Sequence, residues 1–293
     1  MTNLFAQTYK QHQSMLFGLA YRMLGIAADA EDIVQDVFAQ YLAMDTGAVL
    51  NEKAYLTKMT ANRCINLLKS SRRQRETYTG PWLPEPMPDG GSGQASDSVE
   101  RQENIGYAYL VLLQQLTPLE RAIYILKDTF GFEYGDIAEI LERTEQSCRK
   151  TFSRAKMKVG QDTGALQPNE EMEEAKERFV AAFLRASDTG NFKPLLAFLL
   201  DDVTMVSDGG GKVRAALNPI LGIGRVQAFF EGLAAKGSFK GGFERMVMNG
   251  QLGLAYRQDG RITRVICAEW EPGGSRVRHI YLIVNPDKLT RFN

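Results

Sequence analysis

Residues 77 to 100 read TYTGPWLPEPMPDGGSGQASDSVE, and no other stretch limits the possible folds as much. So much proline, glycine and serine leaves too little apolar surface to offset the entropy of ordering the chain, which predicts a linker. A chain of 293 residues interrupted there is expected to fold as separate domains on either side. Trp82 and Leu83 are out of place in a free tether. They predict that the segment PWLPEP, with Pro84 at its centre, docks on a neighbouring surface.

On both sides of the linker the pattern is helical. Residues 1–76 place apolar side chains three and four apart and contain no proline. Residues 101–162 form a second helical block, within which T-P-L-E at 117–120 predicts a helix start. Thr117 is the N-cap, Pro118 the first helical residue, and Glu120 closes a capping box. From 168 to 293 the pattern changes. Helices expected near 169–187 and 191–200 lead into alternating strands: VTMVSD, FERMVMN, QLGLAYR, ITRVICAEW and RVRHIYLIVN. Helices followed by a strand-rich sheet predict a separate α+β domain.

Composition excludes several classes. Hydrophobic residues at 44% and charged residues at 24% suit a globular protein, and no apolar run approaches the length of a membrane span. The start, MTNLFAQTYKQHQ, lacks the basic and apolar regions of a secretion signal, so a reduced, cytoplasmic protein is expected. Two histidines and three scattered cysteines (Cys64, Cys148, Cys267) supply no metal-ligand spacing, and no cofactor is expected.

Net charge is zero, but the charge is segregated. Residues 53–75 carry seven Lys or Arg and no acid; residues 143–158 carry six against the single Glu145. Residues 29–36 carry four acids and no base. A polyanion responds to the local field rather than the total, so two basic surfaces and one acidic surface point to DNA on one side and a protein partner on the other.

Within the stretch 133–159, Ile137, Ile140 and Leu141 form the stripe of a short helix, and Thr144 is placed to cap the next one. In that next helix Cys148, Phe152, Ala155 and Val159 share a face, while Gln146, Arg149, Lys150 and Ser153 lie opposite, with Arg154 nearby. This is the pattern of a helix-turn-helix whose second helix reads base edges: Gln suits adenine, Arg and Lys suit guanine. In the 53–75 helix, Lys58, Lys69, Arg72 and Arg73 lie opposite the apolar side, where they can track phosphates. Asn62 and Asn66 are candidates for an exposed base or for local hydrogen bonding.

The run S-D-G-G-G-K-V-R at 207–214 resembles a phosphate loop only superficially. A P-loop needs an earlier glycine and a hydroxyl after the lysine, and here those positions hold Val206 and Val213. A tight, exposed turn is expected instead, with Asp208 and Lys212 projecting from it to meet the linker or the first helical domain. His279 and Tyr281 share a strand face. They raise the alternative of a catalytic or ligand-sensing cavity, with Glu269 as a distant carboxylate and a small-molecule ligand as its occupant; a structural histidine is the plainer reading.

Three segments carry a family resemblance: FGLAYRMLGIAADAEDIVQDVF, NEKAYLTKMTANRCINLLKSSRR and LTPLERAIYILKDTFGFEYGDIAEIL. In that order and spacing they resemble regions two and four of extracytoplasmic-function (ECF) sigma factors. The resemblance implies a multidomain fold, with an all-α sigma-2 domain at 1–76 and an all-α sigma-4 helix-turn-helix domain at 101–162. It implies a transcription initiation factor rather than an enzyme, with core RNA polymerase and promoter DNA as partners. Asp32, Gln35 and Asp36 would meet the polymerase. Lys58, Asn62, Arg63 and Asn66 would open and read the -10 element, where a base leaves the stack. Gln146, Arg149, Lys150 and Arg154 would read the -35 element. One departure is Glu142-Arg143 in the helix-turn-helix turn, where a small residue is usual.

Residues 168–293 resemble a SnoaL-like, NTF2-like cone domain. PWLPEP, DGGGK (Asp208, Gly209, Gly210, Gly211, Lys212) and NPDKL (Asn285, Pro286, Asp287, Lys288, Leu289) together resemble the signatures of sigma factors with such an extension. That resemblance implies regulation in cis and no dedicated anti-sigma factor.

Overall fold

The computed structural model describes residues 2–44, 49–70, 77–89, 106–160, 170–239 and 242–293. The chain divides into two compact units. One comprises residues 1–76, 92–103 and 109–163; the other comprises 77–91, 104–108 and 164–293.

The first unit is helical: α1 (Thr2–Leu24), α2 (Ala27–Leu42), α3 (Glu52–Ser70), most of α4 (Tyr107–Leu113), α5 (Pro118–Tyr124), α6 (Tyr134–Leu141) and α7 (Glu145–Val159). α2 buries Ile33, Val34, Val37 and Phe38, so its acids are left outside. α3 buries Leu56, Ala61, Cys64 and Leu68. Thr117 and Glu120 cap α5 reciprocally, with Pro118 in the first turn, and α5 runs on into a π-helical turn at Ile125–Thr129. The two helical blocks pack into one body, with α3 against both α5 and α6. Buried Arg121 of α5 donates to the Met23 carbonyl at the C-terminal end of α1, 2.5 Å away. There a cation satisfies a carbonyl that the helix itself leaves free.

The turn between α6 and α7 answers the missing glycine. Glu142 takes the left-handed conformation (φ 54°, ψ 54°) that glycine adopts without penalty. Thr144 then caps α7, accepting from the Ser147 amide at 3.2 Å.

In the second unit α8 (Glu170–Thr189) and a 3-10 turn (Lys193–Phe198) lead to a mixed six-stranded sheet. Its strands are β1 (Leu199–Asp208), β2 (Ile220–Leu221), β3 (Phe243–Met248), β4 (Gln251–Gln258), β5 (Arg261–Trp270) and β6 (Val277–Ile283). The order is β2-β1-β6-β5-β4-β3, with β1 parallel to β6 and every other pair antiparallel. Asn249-Gly250 and Asp259-Gly260 close two hairpins, all four residues at positive φ, as a tight turn between right-twisted strands requires. A helix that the sequence reading did not anticipate, α9 (Ile223–Ala235), crosses one face; Gly224 and Gly232 inside it obscure its helical signal. The first strand also begins earlier than expected, at Leu199.

One face of the sheet packs on α8 and α9 through Met205, Leu254, Ile266, Ile280 and Leu282. Phenylalanines fill that layer: Phe183 lies 5.0 Å from Phe243 and 5.4 Å from Phe230, centroid to centroid. The opposite face is also buried at Val265, Cys267, Tyr281 and Ile283. Part of its cover is the linker.

Candidate functional site

Of the expected interface residues, Asp32, Gln35 and Asp36 are exposed along α2, on the side its apolar stripe leaves free. On α3, Asn66 and Lys69 are exposed, and Lys58, Asn62 and Arg63 are half-buried. Arg72 and Arg73 lie outside the described residues. The basic and acidic groups are not independent surfaces. Arg63 donates to Asp36 at 3.2 Å and to Gln40 at 2.8 Å, joining an expected DNA contact to an expected polymerase contact. Lys58 pairs at 2.8 Å with Glu142 of the helix-turn-helix turn. The Glu142 carboxyl is held below its usual range by that hydrogen bond and charge.

On α7, Gln146, Arg149, Lys150, Ser153 and Arg154 are all exposed, while Cys148, Thr151, Ala155 and Val159 are buried. Cys148 is thus a small core residue, and burial pushes its thiol upward. Arg149 is braced by Glu145 at 3.1 Å and by the ring of Tyr134, 4.4 Å from its guanidinium carbon. Sequence reasoning missed Tyr134. Its only signal is an aromatic residue at the first position of the preceding helix.

In the second unit the three signature segments converge on one buried ion pair. Asp208 is 0% exposed, and its Oδ2 lies 2.7 Å from Lys288 Nζ, itself 4% exposed. Tyr78 donates to Asp208 Oδ1 at 2.6 Å, and the Leu83 amide to Oδ2 at 2.8 Å. Lys288 donates to the Leu83 carbonyl at 2.5 Å and sits 4.2 Å from the centre of the Trp82 ring. Asn285 donates to the Tyr78 hydroxyl at 2.9 Å. Every polar group of the pair therefore has a partner, the condition for burying two charges without a large desolvation cost. Burial, with the Asp208 carboxylate beside it, pushes the Tyr78 phenol well above its ordinary value.

The expectation of a projecting Asp208 is corrected: it faces the linker, and only Lys212, paired with Asp287 at 2.7 Å, projects. The glycines serve close approach. Gly210 and Gly211 sit at φ 60° and 72°; a side chain at Gly210 would run into Asn285, and one at Gly211 would come within 3.0 Å of Thr79. Gly209 begins the turn, accepting from the Lys212 amide at 3.0 Å. Pro84 is buried and its carbonyl accepts from Tyr107 at 2.7 Å. Pro286 starts the 3-10 turn Pro286–Lys288, and Leu289 is buried behind it. Further along, Met87–Asp89 runs beside the free edge of β3, where the Asp89 amide donates to the Val247 carbonyl at 3.0 Å. Pairing covers an edge that would otherwise expose a row of unsatisfied backbone groups. Tyr78, Thr79 and Tyr107 had escaped sequence reasoning because their partners are far away in the chain.

Glu269 is not distant from His279 but directly opposite it in the β5–β6 register, with Oε2 3.1 Å from Nδ1. Tyr281 donates to the same oxygen at 2.5 Å. Burial would raise the Glu269 carboxyl, but His279 and Tyr281 hold it below its usual value. These residues alternate with Ile280 and Leu282, so they lie on the face away from α8 and α9, where Tyr107 packs on Tyr281 at 5.6 Å. The three form one polar cluster, half-buried at Glu269 and His279 and buried at Tyr281. A groove of about 530 Å³ opens elsewhere, between Gly242–Glu244 and Arg257–Gly260.

Among the described residues, no group of His, Cys, Asp or Glu has the geometry to hold a metal, and no helix is long and apolar enough to cross a membrane.

Residues 8–74 match the family described as Sigma-70 region 2, and residues 107–159 match Sigma-70, region 4. Over 304 aligned residues the chain is 31% identical to the ECF RNA polymerase sigma factor SigJ of Mycobacterium tuberculosis, covering 97% of this chain and 92% of that protein. The ECF RNA polymerase sigma factor SigG of the same species is 24% identical over 207 residues, covering 61% of this chain and 55% of the relative. The solved structure of the SigJ protein superimposes with a TM-score of 0.77 at 28% identity, covering 98% of each chain.

Proposed function

The chain belongs to the extracytoplasmic-function sigma factors, and from that premise we propose that its C-terminal domain governs initiation in cis by holding the linker. Sigma factors of this family bind core RNA polymerase and promoter DNA; they are initiation factors, not enzymes. In this reading α3 reads the -10 element through Lys58, Asn62, Arg63 and Asn66, with Lys69, Arg72 and Arg73 on phosphates. Gln146, Arg149, Lys150, Ser153 and Arg154 read the -35 element. Asp32, Gln35 and Asp36 face the polymerase.

The observation that carries cis control is the buried Asp208–Lys288 pair closed over the Leu83 backbone. The linker is the covalent connection between the two DNA readers. Docking residues 77–89 removes roughly 40 Å of contour from it, at about 3.3 Å per extended residue. The readers must reach separate promoter elements at once, so the C-terminal domain sets the slack with which they do so. Two of the proposed readers are also engaged internally, Lys58 by Glu142 and Arg63 by Asp36 and Gln40. Family membership itself says nothing about the absence of a separate anti-sigma factor.

The test is run-off transcription with reconstituted polymerase, comparing the natural chain with Asp208→Asn and Lys288→Met. Altered initiation without loss of polymerase binding supports control through the linker; unchanged initiation in both variants refutes it. A catalytic or ligand-sensing C-terminal domain gains no support from the helix-covered layer of the sheet, which phenylalanines fill.

A further inference from the structure

Arg149 is the proposed -35 reader whose side chain is held most firmly, and the residue that holds it lies outside α7. Tyr134 opens α6, and its ring centre is 4.4 Å from the Arg149 guanidinium carbon. The ring is itself fixed. It meets Phe152 edge-on at 6.1 Å, and Phe152 stacks on Tyr124 at 5.6 Å, so three rings run from the buried core to the surface. The backbone at Tyr134 is pinned as well, by the capping box between Glu133 and Asp136. On the side of α7, Glu145 accepts from Arg149 Nη2 at 3.1 Å.

An exposed arginine ordinarily samples many rotamers, and ordering it on a base consumes much of the contact's gain. A guanidinium lying over an aromatic ring is attracted to the ring face and confined near one plane. Guanine recognition needs that planar fork presented edge-on to O6 and N7. Glu145 alone would draw the side chain back along the helix; the ring fixes its plane at a defined distance from the α6 backbone.

We propose that Tyr134 is a positioning residue for -35 recognition: it holds the Arg149 guanidinium in the orientation that discriminates guanine. The role rests on the reading of α7 as the -35 helix. Tyr134 touches no base; it acts through Arg149. Lys127 lies 5.0 Å from the same ring and pairs with Glu133 at 3.3 Å, so a second cation also meets the Tyr134 ring.

The experiment uses holoenzyme reconstituted from core polymerase and the full-length chain. Bound duplexes are selected from a library randomised over both promoter elements, and base frequencies are compared among the natural chain, Arg149→Ala, Tyr134→Phe, Tyr134→Leu and Tyr134→Gln. The natural chain is expected to show a guanine preference at one upstream position, about ten-fold or more, which Arg149→Ala abolishes. Tyr134→Leu and Tyr134→Gln are expected to weaken that same preference about three- to ten-fold and to leave the other positions unchanged. Tyr134→Phe, which keeps the ring, is expected to restore it. Tyr134→Gln keeps the position polar and covers the case in which leucine disturbs folding. The proposal is overturned if both ring-less variants retain the preference, or if they flatten all positions alike, as a purely structural role would. If Arg149→Ala changes no base frequency, α7 is not reading through Arg149, and the premise fails along with the proposal.

Discussion

Lys58 of α3 and Glu142 of the α6–α7 turn form a 2.8 Å ion pair that ties the proposed -10 reader to the helix-turn-helix. A carboxylate on Lys58 neutralises its charge and repels a phosphate, so promoter binding through Lys58 competes with this pair. The pair is solvent-exposed, and salt screens such interactions. Glu142→Gln is therefore expected to raise initiation about two-fold at low ionic strength, with the gain vanishing near 1 M salt. Run-off transcription across a salt series measures it, and equal output at every salt would count against the idea.

Glu142 also occupies a backbone conformation suited to glycine. Glu142→Gly and Glu142→Ala both remove the ion pair, but only glycine removes the left-handed strain. The glycine variant is expected to melt about 2–4 °C above the alanine variant. Thermal unfolding followed by circular dichroism decides it; an alanine variant that melts as high or higher would show that the turn relaxes elsewhere.

Removing one partner of the buried Asp208–Lys288 pair leaves the other charge buried without its counter-ion. Asp208→Ala or Lys288→Ala is expected to destabilise the C-terminal unit by about 3–5 kcal/mol. The double variant is expected to lose much less than the sum, because the two residues share one site. Urea unfolding gives these numbers. Limited proteolysis adds a local readout, since cleavage within residues 77–89 should accelerate in both single variants.

Glu269 supplies a pH dependence. Its folded-state carboxyl is held below the ordinary value, despite burial, by His279 and Tyr281. For an acid depressed on folding, the stabilisation is present above the unfolded-state value, near pH 4.3, and is lost as pH falls through the folded-state value. The C-terminal unit should therefore lose stability as pH drops below about 4.5. Glu269→Gln should flatten that acid limb while lowering stability at neutral pH. A denaturation series between pH 3 and 7 tests both, and an unchanged acid limb would assign it to other carboxylates.

Local physics was legible along the chain. The i, i+3 and i+4 spacing of Ile33, Val34, Val37 and Phe38 placed α2 and left its acids outside. Thr117-Pro118-Leu119-Glu120 marked the start of α5. The exposed face of α7 came out as its pattern predicted. Each of these depends on residues within a turn or two of one another, so the order of residues alone determined them. α9 escaped because Gly224 and Gly232 weaken its local signal, and packing through Val226 and Phe230 makes up the deficit.

The partners were decided only in three dimensions. Asp208 reaches Leu83 across 125 residues of sequence, and Lys288 reaches it across 205. Residue order marked Asp208, Lys288 and PWLPEP and offered the linker or the first helical domain as what Asp208 would meet. It did not show that Asp208 would be buried, nor that Lys288, Tyr78 and the Leu83 amide would be its partners. Lys58 with Glu142, Arg149 with Tyr134, and Glu269 with His279 are of the same kind. Charge and ring contacts act over a few ångströms of space whatever their separation along the chain, and only the packed fold brings those groups that close.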